Sequence, residues 1–206
     1  MIVAGSLFTK DIDLQSRNLY LQPPPGLEHF TLGFSGLTAD SLWVRVLQDF
    51  DYCENQLGKL KCQGQGWVYH VLDSISYIDP HWRVPLFTGG LVLTVIVNDH
   101  EGASKVFDRA TELFPNDWPL LYEAGYQALF RENDKPKAAK LLERAAQNGA
   151  PKWVYALSAK LYTEGGEREF AEHLYQSLEE SGATEEILKP VRDRLLGVGP
   201  KSIYDQ

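Results

Sequence analysis

The chain has 206 residues, 44% of them hydrophobic and 23% charged, with a formal net charge of −8. That composition is ordinary for a folded protein and excludes disorder along the whole length. The acidic balance argues against broad nucleic-acid binding, which needs cations to displace counterions from phosphates, and against adhesion to an anionic membrane face.

Residues 1–26 show no sustained period and form an N-terminal arm, closed by the stiff, extended run Gln22-Pro23-Pro24-Pro25-Gly26. The opening, Met1 to Phe8, has no basic flank and too short an apolar core for a signal peptide, which leaves the compartment open. A helical repeat domain is expected over 27–197. Phe30, Phe34 and Leu37 are spaced as an apolar stripe weakened by Gly33 and Gly36. Ala39, Leu42, Trp43, Val46, Leu47 and Phe50 then follow a single helical face. A glycine-bearing loop, Glu54 to Gly66, leads into a second helix, Trp67 to Ile78, which Asp79-Pro80 stops. These two helices make a first unit, about 37–80, whose inter-helix turn has lengthened to carry Cys53 and Cys62.

That cysteine pair has three readings. A disulfide closing the loop would stabilise by about 2–3 kcal/mol and imply an oxidising compartment. A zinc site needs four ligands, and His70 supplies only a third. Two thiols in a reducing cytosol is the third reading.

Three further units follow, at about 81–115, 116–150 and 151–183. Their turns are Asn98-Asp99-His100-Glu101-Gly102, Glu132-Asn133-Asp134-Lys135-Pro136 and Glu164-Gly165-Gly166-Glu167. The second helices carry Ala103, Val106, Phe107, Ala110 and Leu113, then Ala138, Leu142 and Ala145, then Phe170, Ala171, Leu174, Tyr175 and Leu178. A capping helix at 184–197 opens with Thr184 as N-cap, and residues 198–206 form a loose tail. The most apolar run, Leu86 to Val97, falls short of the roughly 20 residues a bilayer span needs, so this chain makes no direct membrane insertion.

Two units say the same thing. Gly90, Ala103, Phe107, Ala110 and Pro115 are answered by Gly125, Ala138, Leu142, Ala145 and Pro151. Trp82, Trp118 and Trp153 head successive units about 35 residues apart, the period of a two-helix repeat. A small residue in the first helix lets the second approach, and the large residue fills the space beyond.

This pattern resembles the tetratricopeptide repeat family, over about three quarters of the chain. The resemblance implies an all-α, right-handed superhelical solenoid of about four helix-turn-helix units with a cap. The first helices would line a concave groove that takes a peptide or a partner helix. On the face not used against the paired helix lie Phe87, Leu91 and Thr94, then Tyr122, Tyr126 and Phe130, then Tyr155, Ala159 and Tyr162. Tyrosine suits such a groove, having a large apolar face and one polar tip. Each of these aromatics also reads equally well as intramolecular core, and an irregular bundle without a groove is the alternative for the whole. Some family members grip a C-terminal carboxylate with asparagine and lysine. The matching positions here are Leu91, Tyr126 and Ala159, so that clamp is absent. The run from Leu32-Gly33-Phe34 to Trp43-Val44-Arg45 also resembles the opening of uncharacterised bacterial repeat proteins that follow a membrane anchor. That implies an exported body, periplasmic or anchored upstream, against a cytoplasmic alternative.

No catalytic constellation is expected. His29, His70, His81, His100 and His173 are scattered, with no pair at helical metal spacing. Gly33-Phe34-Ser35-Gly36 lacks the last glycine and the preceding strand of a nucleophile elbow, and Thr88-Gly89-Gly90-Leu91 lacks a phosphate-loop lysine. The expectation is a scaffold with a protein or peptide partner, no cofactor and no nucleic acid, as a monomer or weak homo-oligomer. The alternative is a structural subunit of a self-associating or membrane-associated assembly.

Overall fold

The computed structural model describes residues 22–50 and 62–198. They are all-α: a 3₁₀ turn at Leu27–Phe30 precedes α1 (Ser35–Gln48), α2 (Trp67–Ile78), α3 (Arg83–Val92), α4 (His100–Leu113), α5 (Trp118–Gln127), α6 (Lys135–Gln147), α7 (Trp153–Glu164), α8 (Arg168–Glu180) and α9 (Glu185–Leu195). No strand occurs among the described residues. Each helix packs most closely on helices one or two places away in sequence, from α1 on α2 to α7 and α8 on α9.

Apolar spacing explains the helices. In α2, Val68, Val71, Leu72, Ile75 and Ile78 are all buried, and the Asp79 N–H closes the last turn on Ile75 O. The expected stripe at the start fails: Phe30, Phe34 and Leu37 are well exposed, and α1 begins at Ser35 despite Gly36. Trp43 is buried instead, edge-on to Trp82 at 6.4 Å between ring centroids.

The size complementarity read from sequence is met in contact. A Cβ built on Gly90 would stand 2.7 Å from Phe107 Cζ, and one on Gly89 2.5 Å from Leu72 Cδ1. A Cβ on Gly125 would stand 3.0 Å from Leu142 Cγ, a tighter contact than most. A Cβ at Gly89 or Gly90 would force the facing side chain to shift.

Both middle pairs share a turn that their sequence does not announce. After α3 the chain widens into a π-helical turn at Leu93–Val97, and after α5 it does so again at Ala128–Glu132. Each ends on an asparagine in the left-handed region, Asn98 (φ 59°) and Asn133 (φ 58°), a conformation asparagine tolerates better than most residues. The next residue, Asp99 or Asp134, donates its N–H back to Leu93 O (2.8 Å) or Ala128 O (2.9 Å). Its carboxylate then caps the following helix, accepting from Gly102 N (3.0 Å) or Lys137 N (2.9 Å). Asp117 caps α5 likewise, on Leu120 N at 3.1 Å. Such caps are worth about 1 kcal/mol each. Thr184 differs from expectation: it stands at the N-cap of α9 with extended backbone, but its side chain makes no capping hydrogen bond.

Candidate functional site

The site is built on α3, α5, α7 and α9. Phe87 and Leu91 of α3 are half-buried against the core. The Arg83 guanidinium lies 4.6 Å over the Phe87 ring and pairs with Asp117, its Nη2 donating to Oδ1 at 3.0 Å and its Nε bonding Oδ2. Burial works against the Asp117 charge, yet hydrogen bonds from Arg83 and the Leu120 N–H hold its carboxyl below the usual range. One aspartate therefore caps α5 and fastens it to α3.

A polar bridge repeats that fastening at the other end of the two helices, about three turns on. Gln127 is buried; its Oε1 lies 3.0 Å from Thr94 Oγ1, and its Nε2 donates to His100 O at 3.0 Å. Ser104 Oγ donates to Glu132 at 2.7 Å, and Lys137 spans Glu132 (2.8 Å) and Asp108 (2.7 Å). Burial opposes the Lys137 charge, but its bonds to Asp108 and Glu132 push its pKa up. Thr94, placed on the open face by sequence reasoning, is thus engaged in a bridge between helix pairs.

The exposed aromatic surface comes next. Tyr126 is 51% exposed and Phe130 49%, with ring centroids 4.3 Å apart. Tyr122 is half-buried, its ring edge-on to Trp153 at 6.0 Å, and burial raises its pKa, helped by Glu123 and Tyr126. Trp153 itself is 54% exposed.

In α7 the structure moves the expected face. Tyr162 is only 3% exposed; its hydroxyl donates to Glu143 at 2.7 Å and its ring stacks on Phe170. Burial, then the bond to Glu143, raises its pKa. It is a core residue, and so is Ala159; both leave the list of open-face candidates. Tyr155 is half-buried against the core, its pKa also raised by burial and by Glu143. Trp153, Ala156, Leu157 and Lys160 lie toward α9, with Ala156 and Leu157 half-buried against the core. They form one wall of a cleft of about 480 Å³, and α9 forms the other with Lys189, Pro190, Asp193 and Arg194. Sequence reasoning missed this cleft, because Trp153 to Leu157 are apolar in succession and no polar side marks the phase of α7.

Cys62 is buried, whereas Cys53 lies outside the described residues, and the possible Cys53–Cys62 bridge lies there with it. Among the described residues no group of three or more His, Cys, Asp or Glu side chains could hold a metal ion. Among them, too, no helix is long and apolar enough to cross a membrane. No family model matches this sequence, and no curated protein matches it.

Proposed function

We propose that the chain is a non-catalytic protein-binding module, a tetratricopeptide-like α-solenoid whose α3, α5 and α7, with α9, line a groove for a peptide or partner helix. The observation that carries this reading is the outward aromatic set Tyr126, Phe130 and Trp153, large rings half in water on helices whose opposite faces are core. Packing that is closest between helices one or two places apart in sequence, and the wide turn that recurs after α3 and α5, support the solenoid. Aromatics left in this state on a rigid scaffold are the usual anchors of an interface.

A photo-crosslinking amino acid at Tyr126 or Phe130 tests it. Discrete adducts with one protein or peptide are expected there, and none from exposed Lys140 on α6. Indistinguishable adduct patterns from all three sites would remove the groove. Tyr126→Ala with Phe130→Ala should abolish capture while leaving helical content unchanged.

A second reading has its own observation. Phe30, Leu32, Phe34 and Leu37 are all exposed around the start of α1, an apolar patch suited to assembly. Light scattering across a concentration series decides this: a monomer at every concentration counts against self-assembly. The exported location belongs to this proposal as well and hangs on a Cys53–Cys62 bridge. Intact mass before and after reduction and alkylation tests it, and alkylation of both cysteines without reductant would remove it.

A further inference from the structure

We propose that the open face of α5 binds an arginine side chain of the partner peptide, with Glu123 as its counter-ion and Tyr122 and Tyr126 as the rings beside it. This rests on the reading of the chain as a protein-binding module and names its partner chemistry.

The carboxylate is the first argument. Glu123 is half-buried, and among the described residues it has neither a hydrogen bond nor a cation beside it. Burial alone acts on its carboxyl, and raises its pKa. Other part-buried carboxylates are matched from within: Asp117 holds Arg83, and Glu164 holds Lys135 and Lys160. A charge drawn partly out of water with no partner is unfavourable until something supplies one. The protein carries −8 overall, so its field also favours a cation there.

The neighbours decide which cation. Glu123 stands three residues before Tyr126 on α5, and Tyr122 four, so the carboxylate shares a face with both rings. Burial raises the Tyr122 phenol, and Glu123 and then Tyr126 add to it, as groups this close must. Tyr122 is braced by Trp153 and Tyr126 by Phe130, so the rings are set before a ligand arrives. The chain already contains the finished arrangement once, where the Arg83 guanidinium lies 4.6 Å over the Phe87 ring and pairs with Asp117. On α5 the carboxylate and the rings are present and the arginine is not. A planar guanidinium can bond a carboxylate and stack on a ring together, which a compact, strongly hydrated ammonium does less well.

The test is fluorescence anisotropy of the full chain with three labelled decapeptides, in which Leu alternates with Arg, with Lys or with Glu. Saturable binding of the arginine peptide is expected, weaker by about tenfold or more in Glu123→Gln, the size of one lost charged hydrogen bond. Glu180→Gln makes the same change of charge on the exposed end of α8 and should leave binding nearly unaltered. The lysine peptide should bind more weakly and the glutamate peptide not at all. A thermal melt is the second readout: Glu123→Gln should keep the parent's midpoint or raise it, because no internal partner is lost. Equal losses in the two Gln variants would show attraction to net charge only and overturn the proposal. Absence of saturable binding to the parent, equal binding of the lysine peptide, or a lowered midpoint in Glu123→Gln would overturn it too. The outcome is separable from the broader reading. If Tyr126 still gives its discrete crosslink while these tests fail, the module stands and only this partner chemistry falls. If both fail, both fall.

Discussion

The pair α5–α6 and the pair α7–α8 are built on one plan and held by different means. In the first, α5 ends in a wide turn, Asn133 takes the left-handed conformation, and Asp134 caps α6. Buried Gln127 and the Lys137 bridge tie the pair to α4. In the second, α7 ends without widening, Gly166 (φ 83°) makes the reversal, and no side chain caps α8. Its link to α9 includes Lys152–Glu186, at 2.7 Å but largely in water, where an ion pair is worth about 0–1 kcal/mol. The difference lies in where each pair places its polar groups. The middle spends its polar groups on joining helix pairs. Beside the C-terminal pair, Lys189 of α9 is exposed at the cleft that α9 shares with α7.

The contrast is sharpest in the packing between helices. Phe107 is buried in the notch left by Gly90, so Phe107→Ala should cost about 3–5 kcal/mol. Tyr175 sits at the corresponding place in α8, but it is half-buried, with the Arg192 guanidinium 5.6 Å from its ring. Tyr175→Ala should cost about 1–2 kcal/mol. Urea unfolding of the two variants checks this. Equal losses would mean that the last pair is as tightly packed as the middle.

Capping gives a smaller effect in the same direction. Asp99 is buried, and its Oδ1 accepts from both Gly102 N (3.0 Å) and Gly64 N (2.8 Å), joining α4 to the loop before α2. Asp99→Ala orphans two N–H groups and should cost about 2–3 kcal/mol. Thr184→Ala removes no capping bond and should stay within about 0.5 kcal/mol. Thermal melts of the pair are enough, and a large loss at Thr184 would contradict the cap geometry.

Much of this was legible in the sequence because packing forces size complementarity. Gly90 with Phe107, and Gly125 with Leu142, could be paired by spacing alone, and α2 has the bounds that its apolar period gave. The face of α7 was not legible. Trp153, Val154, Tyr155, Ala156 and Leu157 are apolar in succession, so no polar side marks the phase of the helix. Spacing selected Tyr155, Ala159 and Tyr162, of which Ala159 and Tyr162 are buried and Tyr155 is half-buried. The wide turns were hidden for another reason: a π turn adds one residue, which spacing registers as a length and not as a shape. The heading tryptophans misled in the same way. Trp82 stands just before α3, whereas Trp118 and Trp153 open their helices.

The smallest expected effect separates the two regions by pH. Arg83 and the Leu120 N–H hold the folded Asp117 carboxyl below its unfolded value. A depressed carboxyl contributes its stability above the unfolded pKa, near 3.9, and loses it as pH falls from there through the folded pKa. Glu164, lowered by Lys135 and Lys160 against its own burial, makes the matching contribution in the C-terminal pair, from an unfolded value near 4.3 downward. The Asp117 bond is two-pronged and joins α3 to α5, while Glu164 holds two flexible lysines at the end of α7. Asp117→Asn should therefore flatten the fall in stability below about pH 4 more than Glu164→Gln does, with both variants close to their own plateau at pH 7. Urea midpoints at pH 3, 4 and 7 measure it. A steeper acid loss in Asp117→Asn than in the parent would reverse the sign of the linkage and place the α3–α5 fastening elsewhere.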